Sequence, residues 1–128
     1  MTKQVVRTEA APAPFQGAPY SQAIKANGFV FVAGQLGVAP AGGTIVPGGI
    51  AAQTEQVFAN LRAILEAAGS SLDRLVKTSV FLQSLDDFAA MNEVYARHIG
   101  DAPPARSTFE VAKLPSGALV EIEAIALA

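Results

Sequence analysis

Near the end of the chain, the stretch PARSTFEVAKLPSGALVEIEAIA carries Arg106, Glu121 and Glu123 inside two runs that otherwise read as apolar strands. Charges seldom sit in strand interiors unless they are paired or used. Two readings stand side by side. In the first, Arg106 pairs with Glu121 or Glu123 to satisfy buried charge. In the second, the residues do chemistry. An arginine fork held in a cleft binds a carboxylate through two parallel hydrogen bonds. A carboxylate in an apolar site beside a second one has its pKa raised toward working pH and can orient or deprotonate a water. Together they would make a site for hydrolysing a small anionic substrate.

Other chemistries find little support. The chain has no cysteine, so it offers no thiolate nucleophile, disulfide or Cys-bound metal, and its one histidine, His98, cannot build a multi-histidine zinc site. A Ser-His-Asp triad would need His98, which falls late in an amphipathic helix, where a solvated or dipole-stabilised imidazole is expected. Neither G-x-x-x-x-G-K-[ST] nor G-x-G-x-x-G occurs, so nucleotide binding has no motif behind it. The net charge of −2 provides no basic field for nucleic acid. No run is long and apolar enough to span a bilayer. The opening MTKQVVRTEAAPAP lacks the pattern of a signal peptide, so a cytoplasmic location is the default expectation.

The elements that must position Arg106 and Glu121 follow from spacing. KQVVRTE suggests a short edge strand, and APAPFQGAP a proline-rich loop. A hairpin is expected from a strand near 21–26, a turn at Asn27-Gly28 and a strand over Phe29–Ala33, because Asn-Gly is the strongest two-residue hairpin signal. Ile50, Val57, Phe58, Leu61, Ile64, Leu65 and Ala68 recur at helical spacing and predict a helix over about Ile50–Ala68, stopped by Gly69. A strand centred on Val76–Leu82 follows. A second helix is predicted over about Leu85–Ile99, with Ser84 and Asp87 as a capping box, Leu85, Phe88, Met91, Asn92, Tyr95 and Ile99 along one face, and Gly100 closing it.

The order β-β-β-α-β-α-β-β suggests one α+β domain with a mixed sheet. Two helices about 8–10 Å apart cover one face of roughly four strands spaced about 4.8 Å. Yet FVFVA and LVEIEAIAL are apolar on both faces, and 51% of the chain is hydrophobic against 16% charged. In the last strand Val120, Ile122, Ala124 and Ala126 share one face, and Glu121, Glu123, Ile125 and Leu127 the other. The first set suits packing under helices. The second points to a face this chain cannot cover, for which self-association is the simplest answer. In the preceding strand Arg106, Thr108 and Glu110 lie together, opposite Ser107, Phe109 and Val111.

Several separate stretches, in order, resemble one family. PARSTFEVAKL followed by VEIEAIA is similar to the C-terminal signature of the Rid (YjgF) family of imine and enamine deaminases. GAPYSQAI resembles its N-terminal loop, FVAGQLG its Gly-Gln strand end, and LEAAGSSLDRLVKTSVFLQSLDDFAAMNEVY its central helix-strand-helix. The resemblance covers nearly the whole chain. It implies a fold like that of Bacillus-type chorismate mutase, a mixed sheet with two helices on one face, closing as a homotrimer around a central barrel with sites in clefts between subunits. It also implies that the final strand lies between the Phe29–Ala33 and Val76–Leu82 strands, where spacing alone would pair the last two strands as a hairpin.

By the same resemblance, the activity is hydrolysis of 2-imino acids and their enamine tautomers, such as 2-aminoacrylate, to 2-oxo acids and ammonia without a cofactor. Arg106 would bind the substrate carboxylate and Glu121 would position the water. Tyr20 would line the cleft, Gly34 would lie where backbone approaches the ligand, Asn92 would sit near the site, and Thr108, at a position often held by cysteine, would offer a hydroxyl. Glu123 is expected to be structural. Ala33 stands where many members have serine, and GAPYSQA carries one residue more than the usual loop, which leaves substrate preference open. The rival is a non-catalytic metabolite-binding or chaperone-like member, against which the presence of Glu121 argues, since a carboxylate binder needs only the arginine.

Overall fold

The computed structural model describes residues 2–128. Six strands form one sheet: β1 (Gln4–Val6), β2 (Ala23–Ala26), β3 (Phe29–Leu36), β4 (Leu75–Leu82), β5 (Ala105–Glu110) and β6 (Val120–Leu127). Two helices, α1 (Gly49–Ala67) and α2 (Phe88–His98), join β3 to β4 and β4 to β5. The spatial order is β1-β2-β3-β6-β4-β5, antiparallel except for the parallel β4–β5 pair. The last strand therefore fills the gap between β3 and β4, as the family resemblance implied, and the β5–β6 hairpin that spacing alone suggests does not form. The reason is topological. A helical crossover returns the chain parallel to the strand it left, so α1 sets β4 parallel to β3 one place away, and β6 slots antiparallel between them.

Local signals explain the ends of elements. Asn27 and Gly28 both have positive φ, 56° and 84°, the paired left-handed residues of a tight hairpin turn. Gly69, at φ 81°, ends α1, with its N–H on Glu66 O and the Ser70 N–H on Leu65 O. These are the paired bonds of a Schellman stop. The second helix begins later than its sequence suggests. Leu85–Asp87 is a 3-10 turn, and the Ser84 hydroxyl accepts from the Asp86 N–H at 3.1 Å. The expected capping box with Asp87 is not made, because a cap bond two residues on tightens the first turn before the α-helix starts at Phe88.

Both helices pack on one face. Val57, Phe58, Leu61, Ile64 and Leu65 of α1 and Met91 of α2 are buried against Val30 and Val32, Val80 and Leu82, and Val120, Ile122, Ala124 and Ala126. The alternation expected for β6 is thus realised. On the other face Phe29, Phe31, Phe109 and Leu127 remain exposed. Phe29 and Phe31 lie 6.2 Å apart, and Phe81 stacks on Phe109 at 6.5 Å. The two aromatic pairs lie toward opposite ends of this face, with Lys77, Ser79 and Glu123 between them.

Three amides stiffen the strand ends that lead into the open face. Asn60 Nδ2 of α1 donates to Leu36 O and Val38 O, just past β3, and the Leu119 N–H, just before β6, donates to Gln53 Oε1. Gln22 is only 4% exposed. It takes the Thr8 N–H and donates to Thr8 O, Ala11 O and Pro12 O, tying down the loop ahead of β2. Buried amides bonded in this way fix geometry as well as contribute stability. Among the described residues no helix is long and apolar enough to cross a membrane.

Candidate active site

The sequence-derived residues fall into two groups on opposite faces of the sheet. The first lies at the open end of β3 and β6. An open cleft of 410 Å³ is lined by Phe15, Tyr20, Ala33, Gly34, Pro115 and Glu121, among others. Tyr20 closes one side, its hydroxyl accepting from the Phe15 N–H at 2.6 Å. Gly34 lies within a register shift between Val32 and Gln35. A bulge there turns the backbone toward the neighbouring strand. A β-carbon on Gly34 would lie 2.9 Å from Glu121 Cδ and 3.1 Å from its Cγ. What Gly34 meets within this chain is therefore the Glu121 carboxylate, which lies in the space a side chain would fill. The Glu121 pKa is raised, first because burial disfavours its charged form and then because Glu123 lies nearby.

The second group lies along the seam between α2 and β5. Arg106 is the register partner of Thr78, a fully buried residue under the helices. Its guanidinium carbon lies 4.8 Å from the centre of the Tyr95 ring and 5.5 Å from that of Phe88. Asn92 falls between those two rings on the helix, at the i, i+4, i+7 spacing that defines one stripe, and Thr108 shares the Arg106 face of β5. Asn92 Oδ1 and Thr108 Oγ1 are both buried without a hydrogen-bond partner. Orphaned polar atoms are rare in folded interiors, and two of them here mark the seam as a place where a ligand or water would be accepted.

Arg106 and Glu121 do not pair. The ion pairs among the described residues are those of Glu55 with Arg97 and His98. The pairing of Arg106 with Glu121 or Glu123 fails for a plain reason: strand β4 intervenes, and alternation sends Arg106 to the helix side and both glutamates to the open side. Glu123 lies on that open face with Lys77 and Ser79 around a smaller hollow. Of the two settings expected for His98, it takes the last turn of α2 and not a solvated one. Its ring stacks on Phe58 at 4.7 Å and 2°, and Nε2 lies 3.1 Å from Glu55 Oε1. From spacing alone, Phe88 and Tyr95 carry only a packing role. Their spacing around Asn92 was the available signal for more. Among the described residues no three His, Cys, Asp or Glu side chains gather to hold a metal ion.

A mixed six-stranded sheet with both helices on one face, and a cleft where β3 and β6 open, is the small α+β architecture that the sequence motifs implied. A sequence profile of the family described as Endoribonuclease L-PSP matches residues 8–128. The chain is 54% identical over 124 residues to a RutC family protein of Pyrococcus horikoshii, covering 97% of each chain. It is 42% identical over 125 residues to the mouse protein named 2-iminobutanoate/2-iminopropanoate deaminase, covering 98% of this chain and 91% of that one. The crystal structure of RidA from an Antarctic Psychrobacter superposes with a TM-score of 0.92 at 45% identity, covering 98% and 99% of the two chains. The chain belongs to this family, the Rid or YjgF family.

Proposed function

We propose that the protein is a hydrolytic deaminase of 2-imino acids and their enamine tautomers, such as 2-aminoacrylate, and that its active site forms between two copies of the chain. The observation that carries this reading is the separation of Arg106 and Glu121. Among the described residues neither has an ion-pair partner, and they face opposite sides of the sheet. One substrate can meet both only if the open face of one copy receives the α2–β5 edge of another. The exposed Phe31 and Phe109 supply apolar surface for such contact, and closed cyclic assembly, here a homotrimer, is the economical way to bury it. The name of the mouse relative points to the same chemistry.

In the composite site, Arg106 of one copy takes the substrate carboxylate in its N–H fork. Glu121 of the other accepts a hydrogen bond from a water and aims its oxygen at the C=N carbon. As the C–O bond forms, the imine π pair moves to nitrogen and the water's proton passes through Glu121 to that nitrogen. The new hydroxyl then gives its proton to nitrogen as its electron pair forms C=O and the C–N bond breaks, which releases ammonia and leaves the 2-oxo acid. A carboxyl group with a raised pKa suits both accepting and returning the proton. The imine carbon is already electrophilic, so holding and orienting account for most of the work.

The test is ammonia release from enzymatically generated 2-aminoacrylate. Arg106→Ala and Glu121→Ala should each lose most of the acceleration. Refolded together from a 1:1 mixture, they should recover about one quarter of wild-type activity, the share of interfaces that pair an intact arginine with an intact glutamate. Full activity in either single variant contradicts the catalytic assignment. No recovery on mixing contradicts the shared site.

A further inference from the structure

Arg106 needs to be held still without its donors being used up. A guanidinium has five N–H groups for anions and a delocalised face that stacks on aromatic rings. Within the chain it is the rings that hold it. Tyr95 and Phe88 lie beneath the guanidinium carbon at 4.8 and 5.5 Å. A carboxylate neighbour would have occupied the fork that a ligand requires, whereas a ring attracts the charge through its quadrupole and leaves the fork open.

The lower ring is itself fixed. Tyr95 is 7% exposed, its edge meets Phe58 at 5.3 Å and 84°, and its hydroxyl lies 2.7 Å from Thr78 Oγ1. Thr78 is fully buried and is also the register partner of Arg106 across the β4–β5 pair. One residue therefore sets both the height of the strand that carries the arginine and the position of the ring beneath it. Phe88, the first residue of α2, stands half-exposed at the outer side.

We propose that Tyr95, anchored by Thr78 and assisted by Phe88, is a positioning residue that keeps the Arg106 guanidinium in place with its N–H fork unspent, ready for a ligand carboxylate. This rests on the carboxylate-binding role of Arg106 proposed above. The experiment measures binding of 2-oxobutanoate by calorimetry, together with steady-state kinetics and thermal unfolding, for Tyr95→Leu, Tyr95→Phe, Phe88→Leu and Arg106→Ala. Removing the ring with Tyr95→Leu should weaken 2-oxobutanoate binding and raise KM by about tenfold, with kcat held within about twofold.

Phe88→Leu should shift both in the same direction by less. Tyr95→Phe keeps the ring but loses the Thr78 bond, so it should restore most of the affinity while its melting temperature falls. A merely structural Tyr95 would instead tie affinity to stability. Wild-type affinity in Tyr95→Leu, alongside lost binding in Arg106→Ala, overturns this inference alone. Tyr95→Phe as weak as Tyr95→Leu overturns it too. Undiminished binding by Arg106→Ala overturns the carboxylate role of the arginine and this inference with it.

Discussion

Replacing Gly34 by alanine tests the candidate site with one methyl group. The φ angle of Gly34 lies outside the left-handed region, so alanine brings no backbone strain. The new β-carbon would stand 2.9 Å from Glu121 Cδ and 3.1 Å from Cγ, where ordinary contact begins at 3.4 Å. The Glu121 carboxylate must therefore swing away, and because it ends a flexible side chain it can do so at a stability cost of only about 1 kcal/mol. The catalytic position proposed for it is less forgiving. A displacement of about 1 Å at a reacting group costs on the order of 100-fold in rate. The expected result is kcat down about 100-fold in the ammonia-release assay, with 2-oxobutanoate affinity retained, because Arg106 lies on the other face of the sheet. Wild-type kcat in Gly34→Ala would refute the reasoning, as would a variant that loses affinity and turnover together.

Two further outcomes are expected. The raised pKa of Glu121 means that the folded chain binds its proton more tightly than the unfolded chain. The associated stability is present below the unfolded value of about 4.3 and is lost as pH rises through the folded one. Glu121→Gln should therefore melt higher than wild type at pH 7, with the gap closing below about pH 4. A gap independent of pH would count against the shift. Thr108→Val removes a buried hydroxyl that has no partner. It should leave stability unchanged or raise it by about 1 kcal/mol, while kcat/KM falls. Unchanged kcat/KM would make Thr108 a strand residue and nothing more.

How much of this could be read in the sequence depended on the range of the cause. Asn27-Gly28 and Gly69 act within a few residues, and their turns formed where expected. The alternation from Val120 to Leu127 identified correctly which side of β6 is buried. Local pattern failed where partners are remote. The place of β6 between β3 and β4 is dictated by two crossover helices, not by residues 120–127, and only the family resemblance supplied it. The sides taken by Arg106 and Glu121 follow from alternation in two different strands. Their opposition becomes visible only once β4 is known to stand between those strands. His98 ends α2, where a solvated or dipole-stabilised imidazole was expected, but nothing near it in sequence announces Phe58 or Glu55. Ser84 signalled a helix start correctly but not the 3-10 turn that delays it.

The central position of β6 also bears on how the chain is made. Its partners β3 and β4 are both synthesised before it and do not touch along their lengths until residues 120–127 arrive to bridge them. During synthesis, each therefore presents an unsatisfied strand edge, and the core under α1 and α2 lacks its middle row, Val120, Ile122, Ala124 and Ala126. Closure of the sheet is a late, long-range event, of the kind that slows folding and leaves edges available to other chains meanwhile. The open face of the sheet, with Phe29, Phe31, Phe109 and Leu127 exposed on it, is likewise complete only once the strand carrying Glu121 is in place.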